Sequence, residues 1–388
     1  MSPRIATFVM FVVNGAVLGT WIASIPGVQT SLGASATEIG LILLCAALGA
    51  LAAQQVTGQL LVRMSSRRVL VGSSLVLPLL LPLPLLAPSA LTLAAALFVF
   101  GYVNSTMDVA MNAHGVALER SGGVSIFSRL HAGWSIGGVI GATGVAIAAA
   151  LGVYAPLEAL IAGLALWVVA AIVGRSIGMG SVRTDGATGI HWPTRAVLPI
   201  AVLVTLLAFV EGGLSDWGGI YMSGTIGASA EVAALAYGAL SLGLTVGRLG
   251  GDAVKDRIGS NRMVSLGMYL SAAAIVTVLL LANTVAALLG LVVAGIGVAN
   301  AIPQLFGAAA RIHPSGPSLS AAFTFLTVAF IAGPPIIGAL SDSIGMTAAL
   351  FLLALASVVV AVSITHVPRA ETSTRFIPAG LAGHDPGD

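Results

Sequence analysis

The chain has 388 residues, of which 57% are hydrophobic and 8% charged, with sixteen Lys and Arg against fourteen Asp and Glu. Soluble domains carry about 25% charged residues, so an ordinary water-soluble globule is excluded, and a net charge of +2 points to no nucleic-acid partner. The single cysteine, Cys45, excludes an intramolecular disulfide and a multi-cysteine metal site.

Apolar segments follow one another along the chain, each near the roughly 20 residues that a bilayer core requires. Predicted helix 1 (5–25) follows Arg4 and carries Asn14-Gly15 and Trp21. It lacks an A-x-A-like cleavage site and further spans follow, so it reads as a retained helix and not as a signal peptide. Helix 2 (37–61) leads into the basic turn Val62-Arg63-Met64-Ser65-Ser66-Arg67-Arg68, and helix 3 (69–87) into helix 4 (91–118). Helix 4 carries Asp108 and, one turn on and on the same face, Asn112. Helix 5 (126–151) opens with His131-Ala132-Gly133-Trp134-Ser135, close to Asp108 in expected depth, and helix 6 (155–176) completes a first half. A polar, Gly-bearing segment (177–194) separates it from helix 7 (196–220), which holds Glu211-Gly212-Gly213-Leu214-Ser215-Asp216-Trp217. Helix 8 (231–253) has Arg248 at its inner end, where it is expected to snorkel or to pair with Asp252. Helices 9 (263–282), 10 (285–310, with Asn300 and Gln304), 11 (318–340) and 12 (346–366) follow, then a polar tail (367–388).

The Lys and Arg residues alternate with the segments. Arg4 stands before helix 1 and basic groups after helices 2, 4, 6, 8, 10 and 12, whereas the connections after helices 1, 3, 5, 7, 9 and 11 carry none. Cytoplasmic loops retain Lys and Arg, so the pattern predicts twelve spans with both termini inside, facing anionic lipid. The two halves repeat. Val62–Arg68 and Asp256–Arg262 lie half a chain apart, as do Gly101 and Gly295, and Gly122 and Gly316. Asn14-Gly15 with Trp21 is echoed by Glu211-Gly212 with Trp217. The predicted fold is therefore all-α and membrane-embedded, twelve helices in two pseudo-symmetric six-helix halves: 1–176, a linker 177–194, 195–366 and a tail 367–388. Parallel repeats of this kind place a substrate site between the halves, near mid-membrane.

Twelve helices, two halves and basic turns after helices 2 and 8 resemble the major facilitator superfamily. Asp256-Arg257-Ile258-Gly259 is similar to its D-R-x-G loop, and the first-half copy departs at Val62 and Ser65. Within the superfamily the chain resembles the fucose-permease-like branch and its YbjJ/MosC-like bacterial proteins. The resemblance rests on Asp108-Val109-Ala110-Met111-Asn112, the helix 7 motif from Glu211 to Trp217, Asn300-Ala301-Ile302-Pro303-Gln304, and Gly333-Pro334-Pro335. The fucose permeases carry a helix 1 acid where this chain has Asn14. The resemblance implies a bacterial inner-membrane carrier with a central cavity.

Ionisable groups inside a membrane cost several kcal/mol and are functional candidates. Asp108, with no Lys or Arg expected at its depth, is the first proton-coupling candidate; the alternative is a structural acid bonded to Asn112. Glu211 and His131 are the others, with helix packing as the alternative for His131. Asp216 is expected to cap or hydrate a helix end near the outer surface. Asn14, Asn112, Asn300 and Gln304 offer the donors and acceptors that a polyhydroxylated ligand needs, or stitch helices together. Trp21 and Trp217 are candidate walls of the cavity, or interfacial belt residues. No nucleotide-binding, metal or hydrolase motif occurs, so no cofactor and no enzyme activity are expected. The expected function is a monomeric secondary transporter of a small-molecule substrate, a sugar, polyol or similar solute, moved with protons through the lipid bilayer. Efflux of amphipathic compounds and a non-transporting membrane sensor are the open alternatives.

Overall fold

The computed structural model of the protein describes residues 1–122, 126–178, 194–312 and 317–367. They contain twelve helices long and apolar enough to span a bilayer. These are α1 (Pro3–Leu32), α2 (Ala36–Arg63), α3 (Ser66–Leu85), α4 (Ala90–Glu119), α5 (Phe127–Ala150) and α6 (Ala155–Gly174) in the first half. In the second are α7 (Leu198–Ile226), α8 (Ala230–Ile258), α9 (Ser260–Leu281), α10 (Thr284–Ala309), α11 (Thr324–Ile344) and α12 (Met346–His366). Among the described residues there is no strand. Most of the predicted linker and tail, with Arg183, Gly316, Arg369 and Arg375, lies outside the described residues.

Local chemistry sets the helix ends. Ser35 and Glu38 form a reciprocal capping box at the start of α2, which satisfies amides that the first turn leaves free. The Asn283 side chain caps α10 at 2.9 Å. At the start of α5 the Glu119 carboxylate, from the end of α4, accepts from the amides of Ile126 and Phe127 at 2.9 and 3.0 Å. Gly259, between α8 and α9, has φ of 81°, which a side chain would disfavour. Its counterpart Ser65 sits at φ of −66°, so the departure from the second-half sequence alters the turn's backbone. Two of the described spans are interrupted: α3 is α-helical over Ser66–Val76 and Pro82–Leu85 with a 3-10 stretch, Leu77–Leu80, between them, and α10 is helical over Thr284–Val298 and again over Ala301–Ile312, with a turn at Ala299 and Asn300.

The repeat is physical as well as sequential. Gly49 and Gly101 let α2 and α4 meet backbone to backbone, against Phe98 and Ala46. Half a chain later Gly243 and Gly295 join α8 and α10 in the same way, against Val292 and Leu240. In the first half Gly15, Gly19, Gly137 and Gly141 seal α1 against α5, leaving no room for a Cβ. Small residues permit such close approach where no hydrophobic effect drives helices together.

Every described Lys and Arg except Arg248 lies within about one turn of the same end of the helices. We call this the basic end and its opposite the far end. The halves meet in the middle and toward the far end. There Gly40 of α2 packs on Pro334 and Pro335 of α11, Gly338 of α11 on Ala36 and Thr37, and Gly219 of α7 on Pro26 of α1. Gly138 of α5 meets Tyr237 and Ser241 of α8 nearer mid-depth.

Candidate functional site

A connected set of polar side chains occupies the middle of the bundle. On α4, the Asn112 amide nitrogen donates to the Asp108 carboxylate at 3.0 Å and to its backbone carbonyl at 2.9 Å. The Asn112 amide oxygen is thereby turned toward α5, where it lies 3.1 Å from His131 Nε2. This orientation assigns the hydrogen to Nε2, so His131 donates to Asn112 and Asn112 to Asp108. The rings of Phe11 and Phe127 flank the imidazole, with centroids 5.4 and 4.8 Å away. An amide is a poor proton conductor, so the chain fixes orientation and does not carry protons from His131 to Asp108.

Arg248 continues the cluster into the other half. Its Nη1 donates to the His131 carbonyl oxygen at 3.3 Å and to Ser135 Oγ. Its guanidinium carbon stands 5.6 Å from the centre of the Trp134 ring, in cation–π range. Nη2 pairs with Glu211 Oε1 of α7 at 3.4 Å, and the two side chains are 12% and 17% exposed. A guanidinium has five N–H donors, and these contacts leave part of the fork free. Trp134 is itself fixed, since its indole N–H donates to Asn14 at 2.9 Å while Asn14 donates to Asn104 at 3.0 Å. Five helices of two halves thus converge on one partly buried ion pair.

The geometry corrects two expectations. Arg248 neither snorkels at the helix end nor pairs with Asp252: α8 runs on to Ile258, which places Arg248 about 15 Å from the basic end. Asp108 stands at a similar distance from the end of α4, so a cation does lie at its depth. Asp216 is not at a helix end either. The helical run of α7 continues through a π-helical turn to Ile226, leaving Asp216 inside the span, partly buried and with no hydrogen-bond partner among the described residues.

The family model for the Major Facilitator Superfamily matches residues 6–318. The chain belongs to the Major Facilitator Superfamily. It is 29% identical to an uncharacterised MFS-type transporter of Yersinia pestis over 95% of this chain and 97% of that protein. It is also 29% identical to the membrane protein MosC of Rhizobium meliloti, over 90% and 86% of the two chains. Among solved structures, the nucleoside transporter NupG superposes with a TM-score of 0.74 at 14% identity, covering 94% of this chain and all of that one. A bacterial homologue of the human lysosomal transporter Spinster, inward-facing and occupied, superposes with a TM-score of 0.71 at 14% identity, over 97% and 98%. These last two share the superfamily fold with the chain.

Within that fold the structure brings together Asn14, Asp108, Asn112, His131 and Glu211. The other predicted residues stand apart from them. Asn300 donates to the Gly247 carbonyl at 2.7 Å, tying the break in α10 to α8, and Gln304 accepts from Ser260. Trp21 is 5% exposed and faces Phe100, with centroids 6.3 Å apart. Trp217 is fully buried with its indole N–H unpartnered, so in this state it is core, neither cavity wall nor interfacial belt. Sequence reasoning passed over Trp134 and Ser135 within the His131 motif. Their spacing on α5 was the available signal: His131 and Ser135 share a face, as i and i+4.

Proposed function

We propose that the chain is a secondary active transporter of a small polar organic solute, a sugar, polyol or sugar-like compound, moved with protons by alternating access. The basic end faces the cytoplasm of a bacterial-type inner membrane, as the Lys and Arg distribution argues. The observation that carries this reading is the polar chain from Asp108 through Asn112 and His131 to Arg248 and Glu211, which crosses from one half to the other. An ion pair in a low-dielectric interior is costly, which makes one retained there a candidate for function. Here one end is a carboxylate that can accept a proton, and the other is bonded to the opposite half. Protonating Glu211 removes the charge that holds Arg248, and the freed donors and the amides beside them suit a hydroxylated ligand. The packing of the halves toward the far end supports reading this arrangement as the inward-facing stage of such a cycle.

The test uses purified protein in weakly buffered liposomes containing a pH-sensitive dye. Sugars, polyols and sugar acids are added outside one at a time, with nucleosides included because NupG transports them. A coupled solute acidifies the lumen only in liposomes that contain protein, and accumulates there when an acid-outside gradient is imposed. If amphipathic compounds move protons while every polar solute is silent, the efflux reading replaces this one.

A further inference from the structure

At the far end, a polar contact between described residues crosses between the halves. The Asp342 carboxylate, near the end of α11, accepts from the backbone amides of Ala36 at 3.2 Å and Thr37 at 2.8 Å, in the first turn of α2. These are amides that a helix start leaves without intrahelical partners, at the positive end of its dipole. The Ser35–Glu38 capping box serves the same turn from within α2, so α2 has a cap of its own and Asp342 adds a second from the other half. Around this contact the seam is backbone against backbone: Gly338 meets Ala36 and Thr37, and Gly40 meets Pro334 and Pro335. Packing of this kind has no directional bond. The Glu119 carboxylate caps α5 by the same chemistry, but within one half, where it has no reason to break.

We propose that Asp342 is the latch of the far-end gate: its carboxylate on the α2 N-terminus holds that mouth shut, and it must leave those amides each time the mouth opens. The inference rests on the alternating-access reading above and adds the residue that sets the closed state's advantage. The capping box explains why release is tolerable, since Ser35 still serves the α2 turn when Asp342 departs. Being charge on dipole at an exposed site, the latch has modest strength, which suits a gate that opens in every cycle.

Double electron–electron resonance decides the matter without knowledge of the substrate. In a Cys45→Ala background, nitroxides are attached at Ser31→Cys and Thr225→Cys, exposed positions at the far ends of α1 and α7. Asp342→Ala and Asp342→Asn are compared with the parent, and Gly338→Ala serves as a steric wedge in the same seam. Asn keeps the shape and one acceptor but loses the charge, so both Asp342 variants are expected to raise the ratio of long to short distances, Ala by about fivefold and Asn by less. If the Gly338 wedge lengthens the distances and both Asp342 variants overlay the parent, the latch is wrong and alternating access stands. If the wedge also leaves the parent distribution unchanged, the mouth does not open there, and both the latch and the transport cycle it serves fall.

Discussion

Arg248 of α8 donates to the backbone carbonyl of His131 on α5, 3.3 Å away. A side chain of the second half is therefore bonded to the main chain of the first, at the depth where the acids Asp108 and Glu211 also lie. The same guanidinium holds Glu211, so whatever changes the charge of Glu211 changes the grip of one half on the other.

Arg248→Gln should lower the melting temperature of the detergent-solubilised protein, because it strands Glu211 as an uncompensated internal charge. Both side chains keep some exposure, 12% and 17%, so the loss should be about 2 kcal/mol, below the range for a fully dry pair. Adding Glu211→Gln removes the stranded charge and should recover at least half of the drop. A double variant whose loss equals the sum of the two singles would show that the pair is not coupled.

Asn14→Ala should destabilise by about 2 kcal/mol, since it orphans the Trp134 indole N–H and the Asn104 amide oxygen together. Trp134→Phe in the Asn14→Ala background should then add little, because the shared bond is already gone. Full additivity in thermal melts would remove Asn14 from its role as the post on which Trp134 is hung.

Asp108→Asn should leave solute exchange down a gradient and abolish accumulation against one. Glu211→Gln mimics the protonated acid, so its affinity should resemble that of the wild type at low pH and stay flat from about pH 5 to 8. Wild-type affinity should move across that range if Glu211 titrates with the ligand. Concentrative uptake by Asp108→Asn, or overlapping pH curves for Glu211→Gln and wild type, would strip the corresponding residue of its coupling role.

Gly137→Ala should cost on the order of 1–3 kcal/mol, because the added methyl meets backbone atoms of Val12 and Ala16 that have nowhere to go. Gly72→Ala and Gly250→Ala meet nothing within 4 Å and should be neutral or stabilising by up to about 1 kcal/mol through helix propensity. Expression and melting of the three variants side by side measure the contrast, and equal behaviour would contradict the backbone seam.

The number of helices was legible in the sequence because apolar length reports directly on the bilayer, and the gathering of Lys and Arg at one end of the bundle was legible in their alternation. The Asp108–Asn112 pair was legible because residues one turn apart share a helix face. Depth was not. Ending helix 8 at residue 253 and helix 7 at 220 put Arg248 and Asp216 near the membrane surfaces, whereas the helices run on to Ile258 and Ile226. Polar residues in the last turns mask where a span ends, and an error of a turn or two changes a surface residue into a buried one. The separation of Trp21 and Trp217 into different surroundings was hidden for another reason: pseudo-symmetry equates positions in the chain, not the side chains packed around them.

The far-end seam is built from Gly40, Gly338, Gly219 and Pro26, with Pro334 and Pro335. Glycine has no side-chain rotors to lose and proline's ring is already fixed, whereas ordering a long side chain costs up to about 2 kcal/mol. Closing this mouth therefore freezes little that was moving, and opening it releases little disorder. Its equilibrium should depend only weakly on temperature, and a small solute that contributes a few hydrogen bonds has enough free energy to tip it.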